Sequence, residues 1–203
     1  MRSVKLNLLF TLCLFCLVAS SQQGTVKLNL AYKAAMPLGN FKNIADKASF
    51  NGWEAGLMYG ITNQISLGVQ TGFQDFYKKY DREVLHEPGS DLSAVITNSV
   101  QLMPLLVKGS YAFSENNVVR PYVALSVGGN LVQYRKYYGQ FADSRSKLNF
   151  MAQPELGLVM PVGPYKRTGL FLAASYNYIP FKYNDANGFS HAAIKAGVSI
   201  PLR

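Results

Sequence analysis

Large apolar residues recur at every second position through seven or eight stretches of this chain, and the residues between them are mostly Gly, Ser, Ala, Asn and Gln. In Gly52 to Ile61 one face carries Trp53, Ala55, Leu57, Tyr59 and Ile61, and the other carries Gly52, Glu54, Gly56, Met58 and Gly60. A period of two is that of a β-strand. A soluble barrel would turn its bulky face inward and coat the outside with Lys, Glu and Thr. Here the second face is too small and too sparsely charged for that coat, so lipid is the natural solvent for the bulky face.

The same pattern predicts eight strands. The first runs from Val26 to Met36, with Lys27, Asn29, Ala31 and Lys33 inward, and is broken by Pro37 and Gly39. Trp53 to Ile61 and Ile65 to Phe76 form a hairpin through Thr62-Asn63-Gln64. Lys78 to Asn98 is polar, contains His86-Glu87-Pro88-Gly89-Ser90-Asp91, and reads as a long loop. Met103 to Tyr111 and Pro121 to Leu131 follow, separated by a turn at Ser114 to Asn117. A basic, aromatic loop from Lys136 to Lys147 leads to the strand Phe150 to Met160. After a turn at Gly163 to Arg167, strands at Leu170 to Tyr178 and Ile194 to Leu202 flank a loop at Asn184 to Gly188. Long and short connections alternate, as in outer-membrane barrels. Trp53, Phe73, Phe150 and Tyr178 fall toward the long loops and Tyr59 and Tyr111 toward the short turns, the positions of two interfacial girdles.

The amino-terminal residues have the order of a secretory signal: Arg2 and Lys5, an apolar run from Leu8 to Ala19, then Ala19-Ser20-Ser21 before Gln22. The run is shorter than the roughly 20 residues a membrane-spanning helix needs. We expect 1–21 to be a signal peptide and 22–203 a single outer-membrane β-barrel domain. Cys13 and Cys16 leave with the signal, which removes disulfides and thiol chemistry from the mature chain. The formal charge of +9 falls to +7 without Arg2 and Lys5. The basic residues are scattered and form no nucleic-acid motif, so anionic headgroups or surface polysaccharide are the better partners and nucleic acid is not expected.

Pro37-Leu38-Gly39-Asn40-Phe41, Met103-Pro104-Leu105-Leu106-Val107, Arg120-Pro121-Tyr122-Val123-Ala124 and Pro154-Glu155-Leu156-Gly157-Leu158 carry a family likeness. On these stretches the mature chain resembles the small outer-membrane β-barrel families grouped around eight-stranded structural and OmpW-like proteins of Gram-negative bacteria. The resemblance implies an all-β, eight-stranded antiparallel transmembrane up-and-down β-barrel in the cell outer membrane. The ending Lys195-x-Gly197-x-x-Ile200-x-Leu202 is similar to the strand signal read by the barrel-assembly machinery, a partner during biogenesis. It differs in its aliphatic residues, Pro201 and the trailing Arg203.

Eight strands enclose only enough space for their own side chains or one small ligand. The inward set includes Lys27, Lys33, Glu54, Lys108, Glu155 and Lys195, and buried charges need partners. Each glutamate is therefore expected to pair with one or more lysines, either as a plug that fixes register or as a polar path for small solutes. At the loop mouths Lys78, Lys79, Arg82, Arg135, Lys136 and Tyr137 suit phosphate or acidic sugar, and equally the place where lipopolysaccharide headgroups begin.

An enzyme is the competing class. Only His86 and His191 are available; Ser190 and His191 are adjacent on a strand and point to opposite faces. No metal-ligand spacing occurs and no cofactor is expected. The sequence thus favours a non-enzymatic barrel with a structural or loop-mediated binding role, with an OmpW-like narrow channel for small or hydrophobic solutes as the alternative.

Overall fold

The computed structural model describes residues 24–87, 90–113, 118–138, 141–162, 168–180, 182–183 and 186–202; within these, 79–87, 90–98, 136–138, 141–143, 182–183 and 186–187 are described by backbone alone. The expected signal at 1–21 and the turns at Ser114 to Asn117 and Gly163 to Arg167 lie outside the described residues. Strands β1 (Val26–Pro37), β2 (Asn51–Gly60), β3 (Ile65–Glu87), β4 (Ser90–Ala112), β5 (Arg120–Tyr138), β6 (Phe141–Val162) and β7 (Thr168–Asn177) lead to β8 (Lys182–Tyr183), β9 (Ala186–Asn187) and β10 (His191–Pro201). Eight of them close a ring in the order β1-β10-β7-β6-β5-β4-β3-β2, and every pair is antiparallel. The fold is an eight-stranded up-and-down β-barrel. The two-residue strands β8 and β9 pair with each other outside that ring.

Alternation sorts the faces as expected. Leu105, Leu156 and Ile194 are 69%, 65% and 63% exposed on the outer wall, while Lys108, Glu155 and Lys195 are buried inside. Exposure of so many large apolar side chains in a continuous band is intelligible only against lipid. The band has a sharp upper edge. On the outer face Phe73 gives way to Asp75 in β3, Met103 to Gln101 in β4, Leu131 to Gln133 in β5 and Leu148 to Ser146 in β6. The four polar residues are successive partners in the ladder, Asp75 to Gln101 to Gln133 to Ser146.

Two expectations are corrected. Lys78 to Asn98 is not a loop: β3 and β4 are 23 residues each and stay paired out to Glu87 and Ser90, with one irregularity between Lys79 and Arg82. Nor is Lys136 to Lys147 a loop, because β5 and β6 pair out to Tyr138 and Phe141. Crossing a membrane takes about 9–11 residues per strand, so β3 and β4 run on for about 12 more, roughly 40 Å. Polar composition misleads here because strands paired beyond the membrane need no apolar outer face. Their backbone groups are satisfied by neighbouring strands, and Val84, Val95, Ile96 and Thr97 favour extended backbone.

The connection between β1 and β2 folds back over the barrel mouth. Gly39 has φ +56°, a left-handed conformation that glycine adopts without steric cost, and it opens a short 3-10 turn, Gly39–Asn43. The returning chain is tied down by paired bonds between Ala35 and Ser49 (2.8 and 2.7 Å) and by Leu38 N–H donating to the Ser190 carbonyl at 3.0 Å.

Candidate functional site

The charged centre of the lumen is built by every second strand of the ring. β10 supplies Lys195, β6 Glu155, β4 Lys108 and β2 Glu54, so sign alternates around the circle. Three of the four sides are closed by ion pairs. Lys195 Nζ donates to Glu54 Oε1 at 2.5 Å and to Glu155 Oε2 at 2.7 Å, and Lys108 Nζ reaches both oxygens of Glu155 at 2.9 and 2.8 Å. Tyr122 OH donates to Glu155 Oε1 at 2.6 Å, and Gln153 Nε2 to Glu54 Oε2 at 3.3 Å. Lys33, on β1, is buried within electrostatic reach of both glutamates. Of the six charges placed inside by sequence, four are joined by ion pairs, and Lys33 is buried near them without an ion pair among the described residues. Lys27 stands apart; it faces inward but lies exposed at the turn end.

Toward the loop end an aromatic and aliphatic cluster fills the lumen, with Gln74, Asn130 and Asn177 buried around it. Phe41 is fully buried, 4.8 Å from Phe76 and 4.9 Å from Phe189 between ring centroids. His191 packs edge-on against Phe76 at 5.2 Å, and its Nδ1 lies 3.1 Å from the Phe189 carbonyl oxygen. Val100, Leu102, Leu106, Val132, Met151 and Ile179 complete the cluster. Toward the turn end lies a polar cavity of about 140 Å³ with Glu54 and Lys108 in its wall and Asn63 and Gln64 at its mouth. The lumen thus has three levels: open polar cavity, ionic ring and aromatic plug.

At the opposite rim the ladder gathers the predicted basic residues. Lys78 pairs with Asn98 and Asn98 with Lys136; the next rung runs Lys79, Thr97, Tyr137; the preceding one runs Tyr77, Ser99, Arg135. Five of the six therefore occupy three consecutive rungs of a sheet made by β3, β4 and β5, and Arg82 lies farther out opposite Val95. The side chains of Lys79, Arg82, Lys136 and Tyr137 lie outside the described residues. Lys78 pairs with Asp46 at 3.2 Å, and this hydrogen bond holds the Asp46 carboxyl below the ordinary aspartate value. Of the two histidines, His191 is buried in the plug, and the side chain of His86 lies outside the described residues.

The chain matches the family described as "Outer membrane protein beta-barrel domain" over residues 8–200. It belongs to that family. Among solved structures it is similar to Neisserial surface protein A, at 17% identity and TM-score 0.56, covering 89% of this chain and 98% of that one. Ail, the attachment invasion locus protein of Yersinia pestis, aligns at 16% identity and TM-score 0.48 over 88% and 97% of the two chains. Outer membrane protein AlkL aligns at 15% identity and TM-score 0.45 over 90% and 92%. No curated protein matches the sequence. These likenesses concern the fold, and membership of the family places the protein in the outer membrane.

For an outer-membrane barrel the aromatic plug is the feature that sequence reasoning missed. Its signal was present. In β4 both faces are apolar from Leu102 to Val107, apart from Pro104, and a strand that is apolar on both faces has a packed interior as well as a lipid-facing exterior. Phe41 and Phe189 lie outside the barrel strands, where periodicity says nothing about burial.

Proposed function

We propose that this outer-membrane barrel is a closed, non-catalytic scaffold whose extended sheet presents a basic and aromatic rim to anionic headgroups or acidic glycans. The observation that carries this reading is the convergence of Lys78, Lys79, Arg135, Lys136 and Tyr137 on three adjacent rungs just beyond the apolar band. Cations carried on adjacent rungs of one paired sheet are brought close enough together to bind phosphate or acidic sugar, and tyrosines on the same rungs offer faces for sugar rings. Lys78 engages Asp46, so that cation is partly neutralised within the protein and the others carry more of the interaction.

The ionic ring and the aromatic plug together support a closed lumen over a solute path. An enzyme of the Ser-His type is disfavoured by the burial of His191 among aromatic rings. The test is lipopolysaccharide association of the full mature chain refolded in vesicles, with Lys78, Lys79, Arg135 and Lys136 all changed to Gln. Association should weaken, and the salt dependence of what remains should be shallower. Association equal to that of the unaltered protein overturns the recognition role, and ohmic conductance of the unaltered protein in a planar bilayer would favour the narrow channel instead.

A further inference from the structure

Between the aromatic plug and the turn end the lumen holds five cations, Lys27, Lys33, Lys108, Arg120 and Lys195, against two carboxylates, Glu54 and Glu155. Both carboxylates are engaged in the ionic ring. Lys27 and Arg120, at the mouth of the turn-end cavity, form no ion pair among the described residues and act on each other as like charges. Two cations from β1 and β5, opposite sides of the barrel, therefore converge on one small space.

The wall of that space also carries unused hydrogen-bonding capacity. Gln70 is 97% buried by its 3% exposure and lines the cavity, with neither amide atom bonded to another residue. Arg120 Nε and Asn29 Oδ1 are buried without a partner on the same wall. Ser66, Ser110 and Ser199 add hydroxyls that donate or accept as needed. Two cations, an amide and three hydroxyls around about 140 Å³ match a group with several acceptor oxygens and negative charge. The volume exceeds the roughly 10–15 Å³ needed for one water, so a small organic or inorganic anion fits.

We propose that the turn-end cavity is a binding site for a small oxyanion, a phosphate or carboxylate, that enters from the periplasmic side and is held by Lys27, Arg120 and Gln70. Glu54 stands in the far wall, but Lys195 neutralises it, so the field at the mouth is set by the two unpaired cations. This site lies at the end of the barrel opposite the basic rim and does not depend on the rim's role.

The experiment is titration of the isotopically labelled, full mature chain in zwitterionic micelles with inorganic phosphate and, separately, with succinate. Side-chain signals of Gln70 and Arg120 are followed by NMR. Both probes should give saturable shifts at these groups. Because a charge-assisted hydrogen bond is lost, Arg120→Gln should weaken binding by about tenfold or more. Lys27→Gln, at an exposed position that does not endanger folding, should weaken it in the same direction. Lys42→Gln, in the 3-10 turn at the opposite end of the barrel, should leave it unchanged. A response to phosphate alone or to succinate alone supports the site and identifies which oxyanion it takes. Absence of saturable shifts with both probes, or shifts that survive both Arg120→Gln and Lys27→Gln, would overturn the proposal.

Discussion

Replacing Glu155 by Gln isolates what the ionic ring contributes. Glu155 accepts from Lys108, Lys195 and Tyr122, and Lys108 has no other ion pair among the described residues, whereas Lys195 retains Glu54. The substitution leaves Lys108 as a buried ammonium without its counter-charge. Breaking a buried pair from one side costs about 3–5 kcal/mol, two to nearly four decades in the unfolding equilibrium. The assay is urea unfolding from phospholipid vesicles, followed by the emission of Trp53, the chain's one tryptophan, which stands half-exposed on the lipid-facing wall. Adding Lys108→Met removes the stranded charge and should recover most of the loss, since replacing a buried pair by apolar side chains is often close to neutral. If lumenal water screens the ring, the single change should cost no more than an exposed pair, about 0–1 kcal/mol. That result, or a double variant no more stable than the single, would refute the account of a buried ionic ring whose lysines depend on their carboxylates.

Three further outcomes follow from the geometry. Phe41→Ala should cost about 3–5 kcal/mol by the same unfolding assay because the ring is fully buried; planar-bilayer conductance should stay closed, since the ionic ring remains below it. Gly197→Val should sharply reduce the fraction that shows a heat-dependent shift in gel migration, because a Cβ there would sit 2.1 Å from the Leu30 carbonyl oxygen at the β1–β10 seam. Asp46 should titrate below the ordinary aspartate value by NMR, and Lys78→Met should raise it. A lowered folded-state value means the Asp46–Lys78 contact is fully formed above the ordinary pKa and is lost as pH falls through the lowered one. A titration unchanged by Lys78→Met would show that the contact does not persist in solution.

Strand number, facing and closure were legible because lipid enforces a strict period of two on the outer wall, and one misplaced residue there is costly. The inward placement of Lys33, Glu54, Lys108, Glu155 and Lys195 follows from the same parity. The ion pairing of the last four does not, because it depends on how far each strand is staggered against the next, a quantity no single strand encodes. Beyond the membrane the constraint relaxes. The outer parts of β3 to β6 are rich in polar residues and lack a strict alternation, so composition read as loop what the ladder shows as sheet. Burial of Phe41, Phe189 and His191 arises where a connecting segment folds back over the mouth, and only the tertiary path reveals it.

A ring of alternating charge also bears on why this barrel adopts one register. Slipping a strand by one residue exchanges its faces. A slip of β10 would place Lys195 among the lipids and Ile194 in the lumen; slips of β2, β4 or β6 would do the same to Glu54, Lys108 or Glu155. For each lysine near the bilayer midplane the exposure costs about 2–4 kcal/mol, before the lost partner is counted. A slip by two residues keeps the faces but moves a charge by about 7 Å along its strand, beyond the reach of ion pairs that now measure 2.5–2.8 Å. An uncharged polar interior would punish the first error far more than the second. Ion pairs drawn from every second strand punish both, so the ring specifies stagger as well as facing even where its net contribution to stability is small.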